Sequence, residues 1–166
     1  VMLAARLTVA NEVARIVAGF GGDGREAVRL AGQDPRIGSQ YLRPEAGWGG
    51  SCFPKDVIAL AYAGRSPLLR QILGTNDFHV AWTERSLDVA VAHVRFLRRG
   101  GWDADVIGGN VDDVVRVVVL GTSFKAGTND SRTAPHMQAV LGRKPDPAIE
   151  FQIEADPTEP WATGLD

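Results

Sequence analysis

Cys52 sits in the run Gly47-Trp48-Gly49-Gly50-Ser51-Cys52-Phe53-Pro54-Lys55-Asp56, whose residue types suit a nucleophilic thiol. Three glycines in four positions let the backbone approach a ligand closely or adopt φ above zero. Pro54 fits the first position of a helix, which puts Cys52 at that helix's mouth. There the dipole and the open amides favour an anion, and Lys55 adds positive charge nearby. Asp56 follows one turn on, at a spacing from which its carboxylate can reach the same pocket. Attack by sulfur needs such an electropositive, partly open setting. A lone cysteine is more often a small buried apolar group, and a glycine cluster is usually only a turn. All these features within ten residues bring the nucleophile reading level with that alternative.

Composition narrows the function classes. The 166 residues are 45% hydrophobic, enough to bury a core as one domain or as one plus part of another. A net charge of −2 gives no reason to expect a nucleic-acid surface or binding to an acidic membrane. No apolar run reaches bilayer length. Arg6, Asn11, Glu12 and Arg15 break up the N-terminal apolar residues, unlike a signal peptide. One cysteine forbids an internal disulfide and fits a reducing, cytoplasmic compartment. His79, His93 and His136 are scattered, so no metal centre is expected.

Mostly helices must position the loop. Leu3, Leu7, Ala10, Ala14 and Val17 predict an amphipathic helix over 1–18. It opens at Val1 without a cap, so upstream sequence is expected to be missing. Gly19 to Gly22 end it. Asp23, with Glu26 three residues on, predicts a capping box and a short helix closed by Asp34-Pro35. After an irregular stretch from Arg36 to Ser51, a helix is expected from Pro54 to Ala63. A long one should follow over Leu68–Arg98, with the stripe Leu69, Ile72, Asn76, Val80, Thr83, Leu87, Val91, Val94 and Leu97, and Gly74 as a weak spot. That stripe looks too long for this chain to cover, so part of it is expected to meet a second copy. A Gly/Asp linker over 100–113 leads to Val114–Gly121, which reads as a buried parallel strand. A short helix near His136–Gly142 and a strand over Ile149–Ala155 follow. The C-terminal α/β part looks cut short.

GWGGSCFPKD closely resembles the GFGGSCFPKD signature of the UDP-glucose/GDP-mannose dehydrogenase family, with Trp48 in place of the usual Phe. Asp34-Pro35-Arg36-Ile37-Gly38 matches a family segment at the expected distance, and Phe124 to Arg132 resembles its FKPxTDDxR motif. The resemblance covers about residues 1–135. It implies a mainly α central dimerisation domain (1–99) of helices like those of the 6-phosphogluconate dehydrogenase C-terminal domain. The linker (100–113) then leads into the start of an α/β Rossmann-like domain for the UDP-sugar (114–166).

The resemblance further implies an NAD-dependent nucleotide-sugar 6-dehydrogenase, of the UDP-glucose to UDP-glucuronate type, serving polysaccharide biosynthesis. Its thiolate, here Cys52, would attack a C6 aldehyde to give a thiohemiacetal and then a thioester. Asp56 would help activate water. Tyr41, Leu42, Arg43, Gly47, Trp48 and Gly49 would wrap the nucleotide sugar, with Phe124 and Lys125 added from the C-terminal part. Arg36 would reach a neighbouring subunit's substrate, and Cys52, Lys55 and Arg132 would lie on the NAD side. The fold that holds NAD is expected to be absent from this chain, as is the lysine and asparagine pair the family places just before a start like Leu3–Arg6. Alone, the chain is therefore not expected to be a competent dehydrogenase. A homodimer through the long helix is expected. The rivals are a non-catalytic helical dimerisation module with an inert Cys52, from a truncated or decayed gene, and a cysteine hydrolase or transferase, which would need a histidine facing the thiol.

Overall fold

The computed structural model describes residues 1–98, 114–120, 134–144, 146–147 and 149–154. The elements are α1 (Met2–Gly19), α2 (Gly24–Ala31), α3 (Phe53–Ala63), α4 (Pro67–Arg98), β1 (Val115–Leu120), α5 (Pro135–Leu141) and β2 (Ile149–Glu154). The protein is mostly helical, with one two-stranded parallel sheet joined through α5. The 100–113 linker, the 121–133 loop and the end of the chain from 155 lie outside the described residues.

Sequence periodicity places α1 correctly and its buried face in part: Ala10 is buried and Leu7 packs on the core. The core side takes Ala4, Thr8, Ala10 and Asn11, while Leu3 is exposed. The reason is a polar duty that hydrophobicity does not report: Thr8 and Asn11 bond to the loop ahead of Cys52. Arg6, off the expected stripe, donates to the carbonyls of Ile37 and Gly38, both at 2.8 Å, and so ties the 34–38 segment to α1. Asp23 caps α2 through the Arg25 and Glu26 amides. Glu26 does not complete a capping box, because its carboxylate pairs with Arg29 instead. Gly19, Gly21 and Gly24 stand at G-x-G-x-x-G spacing. They join two helices, not a strand to a helix, so the spacing is not a dinucleotide fingerprint.

The core gathers Ala4, Trp48, Val57, Ala61, Leu69 and Ile72 from α1, the loop, α3 and α4, with Leu7, Phe53 and Leu73 packed on it. In the second half of α4, the expected stripe is buried at Val91, partly buried at Leu87 and Val94, and exposed at Leu97. Val91 is buried where α4 meets α5 and β1. Arg143 bonds to Asp88 and to the Glu84 carbonyl, Arg95 pairs with Asp146, and Arg98 donates to the Val114 carbonyl. Val91 is thus buried within the chain, while Leu87 is only partly covered. Val115 and Val119 of β1 are buried, but Val118 is 49% exposed, so this strand is covered on one face rather than two. Arg116 pairs with Glu150 directly across the parallel register. Among the described residues, no helix is long and apolar enough to cross a membrane.

Candidate active site

The segment Glu45–Trp48 has no strand or helix beside it to take its backbone hydrogen bonds, so side chains from two helices do so. Asn11 of α1 accepts from the Glu45 amide at 2.8 Å. Asn76 of α4 brackets Trp48, accepting from its amide at 2.9 Å and donating to its carbonyl at 3.0 Å. His79 Nε2 lies 2.8 Å from the Glu45 carbonyl. Thr83 donates chiefly to the His79 carbonyl at 3.1 Å and reaches Ala46 only at 3.5 Å. The indole of Trp48 is buried, donates to Thr8 Oγ1 at 2.8 Å and meets Phe53 edge to face. The backbone turns at Gly47 (φ +138) and Gly50 (φ +82), as the glycine cluster suggests.

This rigid loop delivers Cys52 to the N-cap position of α3, one residue earlier than Pro54 implies. The thiol is free and exposed, 3.7 Å from Ser51 Oγ. It lines a cleft of about 350 Å³ with Leu7, Tyr41, Arg43, Glu45 and the loop itself. Tyr41 holds a positive φ of 55° and is half exposed there, a strained backbone position of the kind that clusters at functional sites. Among the described residues that line this cleft, none is a histidine.

Of the expected site residues, Tyr41, Arg43, Gly47, Trp48, Gly49 and Cys52 meet in this cleft. Trp48 contributes as a core anchor, since its ring is committed to Thr8 and Phe53. Leu42 instead lines an adjoining cavity of about 420 Å³ with Arg25 and Arg29. Lys55 and Asp56 are exposed, pair with each other at 3.4 Å and do not line the cleft. Arg36 projects outward and pairs with Asp34. Phe124, Lys125 and Arg132 lie outside the described residues. Glu45 and Ser51 are lining residues the sequence does not single out. The available signal was Asn76 and Thr83, polar residues within an apolar stripe, which mark backbone to be satisfied.

Burial pushes the Glu45 carboxyl up from its ordinary value, while Arg43, Arg25 and His136 pull it down. The residue is exposed at the wall of the cleft. Burial also lowers His79, against its bond to Glu45 and the charge of Glu12, with Arg15 adding to the lowering. His79 is therefore neutral, donates from Nε2, and keeps a buried Nδ1 with no partner among the described residues. A depressed histidine contributes stability above its unfolded value, about 6.5, that is lost as pH falls towards the folded value. Glu45 has the opposite slope, so the difference between wild type and His79→Gln isolates the effect. The urea midpoint of wild type should drop more steeply than that of His79→Gln below pH 6.5; parallel profiles would refute a neutral, buried His79.

The one G-x-G-x-x-G spacing lies between helices, and the Cys52 cleft is at the small end of the ~300–1,000 Å³ typical of ligand pockets. No group of three or more metal-ligating side chains occurs among the described residues.

Residues 1–77 match the central domain of the UDP-glucose/GDP-mannose dehydrogenase family. The chain is 39% identical over 147 residues to the UDP-glucose 6-dehydrogenase AglM of Haloferax volcanii, a match that covers 84% of this chain and 30% of that protein. It is 34% identical over 139 residues to the GDP-mannose 6-dehydrogenase of Pseudomonas putida, covering 80% and 27%. Its structure is similar to a UDP-glucose dehydrogenase from the hyperthermophilic archaeon Pyrobaculum islandicum, with a TM-score of 0.62 at 27% identity, over 92% of this chain and 32% of that one. The chain thus spans less than a third of the length of these relatives.

Proposed function

We propose, from its likeness to the UDP-glucose/GDP-mannose dehydrogenase family, that this chain carries the nucleophile and sugar-binding loop of a nucleotide-sugar 6-dehydrogenase. The supporting observation is the exposed Cys52 thiol at a cleft whose wall is a fixed, glycine-rich loop. In this reading the Cys52 thiolate adds to the carbonyl carbon of a C6 aldehyde. An S–C bond forms, the π pair moves to oxygen, and a thiohemiacetal results. Loss of a hydride and a proton raises it to a thioester. Water then adds to the acyl carbon, the S–C bond breaks, and the acid leaves with the thiolate restored. The thiol is needed because a bare aldehyde has no good hydride to give.

Arg43 is suited to the diphosphate, which a guanidinium binds through paired hydrogen bonds. Tyr41 and the backbone at Gly47 and Gly49 line the space for the sugar. Asp56 and Lys55 enter as a charged pair beside the cleft, Asp56 towards the attacking water and Lys55 towards the cofactor. NAD is the proposed acceptor of that hydride. The proposed partner is a second copy docked on the outer side of α4, where Val89 and Leu97 stay exposed, with Arg36 reaching across to its cleft.

Occupancy of the cleft can be read without turnover. Cys52 is the sole cysteine, so intact mass after iodoacetamide treatment reports it alone. UDP-glucose or GDP-mannose at ten times its dissociation constant should slow alkylation about tenfold. Alkylation that neither compound slows would favour the non-catalytic helical module.

A further inference from the structure

We propose that Glu45 is a specificity-determining residue of the Cys52 cleft, accepting hydrogen bonds from neighbouring hydroxyl groups of the bound sugar. This rests on the functional reading above and names the group that would recognise the sugar.

Three observations carry it. The backbone of Glu45 is fixed on both sides, by Asn11 at its amide and His79 at its carbonyl, so the side chain leaves from a set point. That side chain lines the same cleft as Cys52 and Arg43. Its carboxylate accepts no hydrogen bond among the described residues, although Arg43 and Arg25 are close enough to act on its charge. Every other acidic side chain of α1, α2 and the 34–38 segment that has a nearby arginine pairs with it: Glu12 with Arg15, Glu26 with Arg29, Asp34 with Arg36. A carboxylate is acceptor only, with room for two O–H donors at once. The residue is exposed, so water fills those acceptor sites in the free protein, and a ligand's hydroxyls would take the place of that water. Neighbouring sugar hydroxyls suit those sites, while Arg43 on the same wall would offset the repulsion between Glu45 and the diphosphate.

The test compares two ligands in each of three proteins, reading protection of Cys52 from iodoacetamide in the 166-residue chain. UDP is set against UDP-glucose, and GDP against GDP-mannose. In wild type the sugar nucleotide should protect at a lower concentration than the diphosphate alone. Glu45→Ala should remove about tenfold of that advantage, the scale of a charge-assisted hydrogen bond, without weakening the diphosphate alone, which loses a repulsive neighbour. Glu45→Gln, which keeps one acceptor, should fall between. Thermal midpoints near wild type would show that both variants fold, as expected for an exposed side chain. An undiminished sugar advantage in both variants overturns the role of Glu45 and leaves the functional reading standing. Absence of protection by either nucleotide sugar in wild type overturns both.

Discussion

Asn76→Leu should destabilise the protein by about 2–5 kcal/mol, a large part of the ~5–15 kcal/mol typical of a domain. Leucine has nearly the same volume but can neither accept from the Trp48 amide nor donate to its carbonyl. Both backbone groups are buried, and each unsatisfied group costs about 1–3 kcal/mol. Trp48 is also the ring around which α1, α3 and α4 pack, so release of its backbone loosens the core as well as the loop. At roughly 2–4 °C per kcal/mol for a chain of this size, the thermal midpoint should fall by about 5–20 °C. Cys52 should remain alkylatable, but protection by nucleotide sugar should be lost. Asn76→Asp separates the two bonds, since it keeps the acceptor and loses the donor. A midpoint within about 1 °C of wild type for Asn76→Leu would mean the bracket contributes nothing.

Gly47→Ala should cost a comparable ~2–5 kcal/mol for a different reason. The residue has φ +138, a conformation that L side chains rarely adopt, worth about 1–3 kcal/mol of strain. A methyl there would also stand 2.8 Å from Val80 Cγ2 and 3.2 Å from both Asn76 Oδ1 and Pro135 Cβ. Val80 is β-branched on a helix and has little freedom to turn away, so overpacking adds about 1–3 kcal/mol. Gly74→Ala is the internal control. Nothing lies within 4 Å of its would-be methyl, and alanine favours mid-helix, so it should stabilise by about 0.5–1 kcal/mol. Urea unfolding of the two variants should therefore move in opposite directions; equal shifts would contradict the close approach at Gly47.

Sequence alone determined much of this protein. Hydrophobic period and Gly/Pro punctuation place all five helices and both strands to within a few residues, because those signals are local. The GWGGSCFPKD run placed Cys52 at a helix start and indicated the family, since residue types and spacing carry that information directly. Which face each helix buries was decided in part only by the tertiary structure. On α1 the periodicity favours Leu3 and Leu7, yet Thr8 and Asn11 lie inside; on α4 Asn76 and His79 do. Their partners are 28 to 40 residues away, in a loop whose backbone has no strand or helix to bond. The same limit explains why Val91 reads as part of a face for another chain, although it is buried within this one. It also explains why Glu45 goes unnoticed until folding sets it on the wall opposite no donor. A buried polar group is satisfied by whatever the fold brings next to it, and one-dimensional periodicity holds no record of that neighbour.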